Sequence, residues 1–130
     1  MSVRQQLLDM ILEPKLFEWP AAQIEEMQLE ATRELVRERC AQIPVLRRRA
    51  EETGIAEIRS FHDLVPLLFS HTSYKSYPAS FVERGQWGKM LKWLNTLSTA
   101  DASDVDVEGV VTVDDWIARL RDAGHCVLAT

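Results

Sequence analysis

An acidic run at residues 104–115, DVDVEGVVTVDD, has the spacing of a calcium-binding loop. Calcium takes several oxygen ligands around one tight turn, and a glycine in the middle of the loop allows the sharp bend. Gly109 stands at that central position, and the oxygens would come from Asp104, Asp106, Glu108, Thr112 and Asp115. Asp115 is too short for an ideal bidentate ligand, and Glu108 is too long for the fifth position. The competing interpretation is an acidic linker followed by a capped helix.

A second stretch with chemical potential is HTSYKSYP, at residues 71–78. It is rich in hydroxyl and aromatic side chains and has no helical period, and loops of this kind often line binding sites. Its candidates for a substrate pocket are His71, Tyr74, Lys75 and Tyr77. The alternative is a loop whose tyrosines simply pack against the rest of the fold.

Other catalytic and metal-binding patterns are missing from the sequence. There is no G-x-S-x-G elbow, no glycine-rich phosphate loop, and no histidine or cysteine pair with zinc spacing. Cys40 follows Arg37 and Arg39, which could lower its thiol pKa, but a buried helix cysteine is the simpler interpretation. The RRR cluster at 47–49 is flanked by glutamates and is typical of a solvated face. We therefore expect no catalytic residue and, apart from the calcium alternative, no metal ligand in this chain.

Composition points to an ordinary globular protein. The chain has 130 residues, 46% of them hydrophobic, and a net charge of −5, which does not favour binding to nucleic acid or to an anionic membrane. Cys40 and Cys126 lie far apart without a disulfide framework, so a reduced, cytoplasmic protein is the simplest reading. The N-terminus carries Gln5, Gln6 and Asp9 where a signal peptide would be apolar.

Periodicity and capping signals predict about six helices. Ser2 and Gln5 form a capping box, a long helix runs from about Pro20 to Gln42, and Pro44 interrupts it. Further helix signals are the C-cap glycine Gly54, the cap Ser60 with Asp63, the apolar stripe from Trp87 to Leu97, and the cap Thr112 with Asp115. An acidic linker at 100–112 would separate the last two helices.

The last residues, 125–130, read HCVLAT and predict a strand after the helix stop at Gly124. A single strand cannot form a sheet by itself. The predicted fold is therefore mainly α, with one C-terminal strand that belongs to a sheet of a longer chain. If the chain exists alone, this apolar strand would be exposed and would favour a homodimer.

Three segments resemble the N-terminal part of the adenylate-forming acyl- and aryl-CoA ligases, near phenylacetate–CoA ligases and acyl-protein synthetases. They are CAQIPVLRRRAEETGI at 40–55, IRSFHDLVPLLFSHTSYKSYP at 58–78 and DDWIARLRDAGHCVLAT at 114–130. One departure is Leu46, where the family usually has tyrosine. The resemblance covers most of the chain but consists of helix patterns and short strings, and the family's Ser/Thr-Gly-rich phosphate loop is absent.

The resemblance implies that residues 1–130 form a single N-terminal helical domain of a ligase and part of its acyl-substrate pocket. The parent enzyme would use ATP, Mg²⁺ and coenzyme A or a carrier protein, forming an acyl-adenylate and then transferring the acyl group to a thiol. Only Thr130 would reach the edge of the ATP loop, so the chain alone would bind no cofactor and would not be catalytic. The alternative is a stand-alone helical interaction domain with one EF-hand-like calcium loop at 104–115.

Overall fold

The computed structural model describes residues 1–127 and divides the chain into two compact units. Unit 1 is Met1–Leu68, and unit 2 is Phe69–Thr130, of which residues 69–127 are described. The predicted mainly helical class is confirmed by six α-helices in the described residues. These helices are α1 (Val3–Met10), α2 (Ala21–Gln42), α3 (Pro44–Thr53), α4 (Ala79–Glu83), α5 (Trp87–Leu97) and α6 (Val113–Asp122). The same part of the chain contains three 3₁₀ helices, at Leu16–Glu18, Phe61–Leu67 and His71–Lys75.

In unit 1, α1 packs along α2 and is fixed to it by polar contacts at its first turn. The Ser2 hydroxyl accepts the backbone N–H of Gln5 at 3.1 Å, as the capping signal predicts. The Gln5 side chain does not return to Ser2 but donates to Asp9 at 2.9 Å. Arg4 donates to the carboxylate of Glu38 on α2 at 2.7 Å. The apolar side of α1 buries Met10.

Proline and glycine set the break between α2 and α3 and the end of α3. α2 ends at Gln42, Ile43 is extended, and Pro44 begins α3, because proline lacks an N–H but suits a first helical position. Gly54 ends α3 with φ of 71°, a left-handed conformation that favours glycine. The chain then turns back towards α2, where the Arg33 side chain donates to the backbone carbonyl of the buried Ile58 at 2.6 Å.

The core of unit 2 is built on the amphipathic helix α5. Its predicted stripe is confirmed, since Trp87, Met90 and Leu91 are all buried. α6 contributes Trp116 and Leu120, and Leu120 is 0% exposed. The capping box at Thr112 and Asp115 begins α6 as predicted.

The segment predicted as an acidic linker, 100–112, has no helix but packs its apolar residues into this core. Ala102 is 1% exposed, and Val105, Val107 and Val110 lie against the same cluster. The Asn95 side chain holds the segment, because its amide oxygen accepts the N–H of Ala102 at 2.9 Å and its NH₂ group donates to Asp101 at 3.1 Å. The acidic residues therefore alternate with apolar residues that face inward.

The predicted C-terminal strand is not seen in residues 125–127, and residues 128–130 lie outside the described part of the chain. A strand needs a neighbour with which to exchange hydrogen bonds, and residues 1–127 contain no other strand. The backbone N–H of His125 instead donates to Leu120 at 2.9 Å, which closes the end of α6. The proposed dimer through this strand stays a prediction. None of the helices within residues 1–127 combines the length and apolar character needed to cross a membrane.

Candidate functional site

Three of the four predicted pocket residues, His71, Tyr74 and Lys75, lie on the 3₁₀ turn His71–Lys75 and are exposed. Tyr74 keeps 58% of its surface accessible, and its ring meets Phe69 edge-on with centroids 6.1 Å apart. An imidazole, a phenol and an ammonium group therefore share one short surface segment of unit 2. They can form hydrogen bonds or an ion pair with a bound group, but they do not enclose a cavity by themselves.

The fourth residue, Tyr77, belongs to the packing of unit 2. Its ring lies edge-on to Trp93, with centroids 4.9 Å apart and an interplanar angle of 74°. The Trp93 indole N–H donates to the Ser76 hydroxyl at 3.0 Å. Trp93, which lies off the main apolar stripe of α5, thus anchors the end of the segment that carries the three exposed residues.

The carboxylate at the last position of the alternative calcium loop, Asp115, is used for a different purpose. Asp115 accepts the backbone N–H groups of Thr112 at 2.9 Å and Val111 at 3.2 Å. These hydrogen bonds, led by the one from Thr112, hold the pKa of Asp115 below its usual range. The carboxylate that should close a calcium loop is thus already satisfied as part of the cap of α6.

An arginine side chain contacts the oxygens in the middle of the same loop. Arg119 donates to the backbone carbonyl of Glu108 at 2.9 Å and lies 3.8 Å from Asp106. Asp106 also accepts the N–H of Glu108 at 2.9 Å. Among residues 1–127, no group of three or more His, Cys, Asp or Glu side chains is arranged to hold a metal ion. Thr130, the predicted edge of the ATP loop, lies outside the described residues.

The clearest cavity belongs to unit 1 and was not predicted from the sequence. It has a volume of about 450 Å³ and lies between α2, α3 and the segment 55–58. The lining is mainly apolar, from Val36, Cys40, Ala50, Gly54, Ile55, Ala56 and Ile58, with charged side chains from Arg33, Arg37, Arg47, Glu51 and Glu57. The spacing of Arg33, Val36, Arg37 and Cys40 along α2 is a signal that could have indicated a mixed basic and apolar face.

The three arginines of this cavity differ in their partners. Arg33 is engaged, because it donates to Ile58 and lies 2.8 Å from Glu30. The guanidinium groups of Arg37 and Arg47 have no hydrogen bond or ion pair within the described part of the chain, and both residues are exposed. The cavity therefore has an apolar interior and two uncommitted cationic groups at its rim.

Cys40 lies in the same cavity and is half-buried. Burial raises the pKa of its thiol, and the nearby charge of Arg47 opposes this only in part. Arg39, a neighbour in the sequence, is turned instead towards Gln42 at 2.6 Å and Glu38 at 3.5 Å. Cys40 is therefore a neutral packing residue at neutral pH rather than an activated nucleophile.

A second, shallower depression lies at the start of α5, lined by Gly85, Gln86, Trp87, Gly88, Lys89, Lys92 and Val107. Lys89 is turned towards the Phe81 ring, with its ammonium nitrogen 5.5 Å from the ring centroid. This geometry commits the lysine to a cation–π contact in unit 2.

Comparison of the chain with family models, with curated proteins and with solved structures gave no match.

Proposed function

We propose that the chain is the N-terminal helical part of an adenylate-forming carboxylate ligase. It supports the adenylation core and contributes part of the acyl-substrate pocket. Its partner is the rest of the ligase chain, and ATP, Mg²⁺ and coenzyme A or a carrier thiol serve the whole enzyme. The proposal rests on the three family-like segments, and the mainly helical structure is compatible with it. We place the enzyme in the cytoplasm, which agrees with the two free cysteines, Cys40 and Cys126.

An exposed apolar surface on unit 1 is the structural observation most consistent with the proposal that this chain packs against an adenylation core. Phe17 is 98% exposed and Leu12 is 86% exposed, and Leu8 and Ile11 are also largely accessible. Soluble proteins seldom leave several large apolar side chains exposed within one short stretch unless the stretch meets a partner. A larger enzyme packed on this surface would remove these side chains from water.

The exposed segment of unit 2 supports the second part of the proposal. His71, Tyr74 and Lys75 are accessible, and Trp93 holds the end of their segment through Ser76. Accessible polar side chains on a firmly anchored segment are suited to forming one wall of a pocket whose other walls come from elsewhere. In this role the three residues position the acid and do not take part in the chemistry.

The test begins by reading the gene past the codon for Thr130 and producing the full protein that it encodes. We expect a Ser/Thr-Gly-rich phosphate loop and ATP–pyrophosphate exchange that depends on an added carboxylic acid. In that protein, Tyr74→Ala should raise the KM for the acid and leave the KM for ATP unchanged. Arg84→Gln, an exposed change in the same unit, is the matched control.

Two results would overturn the proposal. One is a stop codon immediately after Thr130. The other is a full-length protein that shows no exchange with any member of a panel of aliphatic and aromatic carboxylic acids. If exchange occurs and Tyr74→Ala changes neither KM, the ligase assignment stands and the role of this segment in the pocket is rejected.

A further inference from the structure

We infer that the cavity of unit 1, between α2, α3 and residues 55–58, binds a medium-chain aliphatic carboxylate. The apolar chain would lie against Val36, Ala50 and Ile55, and the carboxylate would meet Arg37 and Arg47 at the rim. Every residue that the inference uses belongs to unit 1. It therefore does not depend on the ligase proposal, and it concerns a site separate from the segment 71–78.

The volume of the cavity and its apolar walls indicate that the main part of the ligand is a small apolar group. Small-molecule pockets usually have volumes of about 300–1,000 Å³ and mainly apolar walls with a few polar groups. The cavity of about 450 Å³ falls in this range, and its apolar walls come from two helices and from a returning segment. Arg33 holds that segment in place through its hydrogen bond to Ile58, so the wall is formed before any ligand arrives.

The two uncommitted arginines at the rim indicate that the ligand has an anionic head group. The guanidinium groups of Arg37 and Arg47 have no partner among residues 1–127, and guanidinium matches the two oxygens of a carboxylate. Two carboxylates also line the cavity, but Glu57 lies 3.9 Å from Arg59. The uncommitted charges are then two guanidinium groups against the single carboxylate of Glu51.

This balance excludes other classes of ligand. A polyanion such as a nucleotide would bring its additional negative charges close to Glu51, and it would place phosphates against apolar walls. A cationic ligand would be repelled by the positive charges of the two uncommitted guanidinium groups. A ligand with one negative charge and an apolar body can pack against the apolar walls and pair with the arginines at the rim.

The first experiment compares three ligands of equal length on the 1–130 chain by calorimetry, below their micellar concentrations. Decanoate should bind saturably at one site, decanol more weakly, and decylamine most weakly. The double change Arg37→Gln with Arg47→Gln should weaken decanoate binding about tenfold and leave decanol binding unchanged, because only the charged hydrogen bonds are lost. Arg48→Gln, an exposed arginine of α3 that does not line the cavity, should change neither.

The second experiment locates the ligand through Cys40, in a chain carrying Cys126→Ser so that Cys40 is the remaining thiol. Bound decanoate should slow the alkylation of Cys40 by a maleimide, and Ala50→Phe, which fills the cavity, should abolish both the binding and the protection. The inference is overturned if decanoate does not bind saturably to the folded chain. It is also overturned if binding survives the double arginine change undiminished, or if Cys40 reacts equally fast with and without decanoate.

Discussion

The carboxylate of Glu34 on α2 accepts a hydrogen bond from the backbone N–H of Val3, 3.0 Å away and 31 positions earlier in the chain. The same carboxylate accepts the N–H of Arg4 at 3.2 Å. The first N–H groups of a helix have no acceptor within the helix, so they need one from elsewhere. Glu34 supplies this acceptor from a neighbouring helix, and its negative charge also suits the positive end of the helix dipole.

Replacing Glu34 by glutamine should lower the urea midpoint of unfolding at neutral pH. The amide keeps one acceptor oxygen but loses the charge and the second acceptor, so one N–H of α1 is left without its partner. Glu26→Gln, on an exposed position of the same helix, is the matched control. Equal midpoints for the two variants would show that the capping contact does not contribute to stability.

Acid should weaken the docking of α1 on α2. The N–H donors of Val3 and Arg4 hold the pKa of Glu34 below its usual range, and the Arg4 side chain lowers the pKa of Glu38. A carboxyl group with a lowered pKa in the folded state contributes stability above its unfolded pKa, and that contribution is lost as the pH falls through the folded value. The urea midpoint should therefore fall progressively as the pH drops below about 4.3, the ordinary pKa of glutamate. Glu34→Gln should show a smaller fall, and an identical fall in both proteins would contradict this assignment.

Removing the cap of α6 should destabilise unit 2. The Thr112 hydroxyl accepts the N–H of Asp115 at 3.1 Å, and Thr112→Ala removes this acceptor. The expected loss in the free energy of unfolding is about 1 kcal/mol, measured by urea unfolding followed through tryptophan fluorescence. Thr112→Ser keeps the hydroxyl and should retain most of the stability. If serine and alanine behave alike, the hydroxyl is not the stabilising group.

Calcium should leave the tryptophan fluorescence of the chain, to which Trp116 contributes, unchanged up to millimolar concentrations. Asp115 is held by the N–H groups of Val111 and Thr112, and Asp106 lies beside Arg119, so binding would first have to break these contacts. The titration uses magnesium at equal ionic strength as its control. A saturable change with calcium alone, lost in Asp104→Ala, would contradict the expectation and restore the EF-hand-like alternative.

Leu120→Ala should be among the most damaging single changes in unit 2. The side chain is 0% exposed in the core with Trp87 and Trp116, and truncating a buried leucine costs about 2–5 kcal/mol. Ala118→Gly, on an exposed position of the same helix, should cost about 1 kcal/mol through helix propensity alone. Urea unfolding compares the two variants, and a loss at Leu120 no larger than that at Ala118 would be incompatible with the core described.

Local signals in the sequence predict the ends of the helices well, because a cap acts over only a few residues. The boundary at Pro44, the left-handed Gly54 and the capping boxes at Ser60 and Thr112 all appear where their residue types place them. The stripe of α5 is also visible, since its apolar spacing is regular. These features depend on the chain near each residue and not on distant partners.

Features that depend on tertiary packing were not predictable in the same way. Ala102 is buried because the Asn95 side chain holds its backbone, and an acidic segment gives no sign of such a contact. One wall of the cavity in unit 1 is the segment that returns to α2, where Arg33 donates to Ile58. The residue types at 125–130 favour a strand whose sheet belongs to a longer chain, and residues 1–127 supply no strand with which it could pair.

The dependence of α1 on Glu34 also indicates which helix of unit 1 is the less stable by itself. With 8 residues, α1 is shorter than the roughly 12–15 residues that an isolated helix needs to persist in water. We therefore expect α1 to be stable only while α2 presents Glu34 and Glu38. In the native protein, α1 should correspondingly detach as a whole before α2 opens, and the amides of Val3 and Arg4 should exchange with solvent through that single cooperative event.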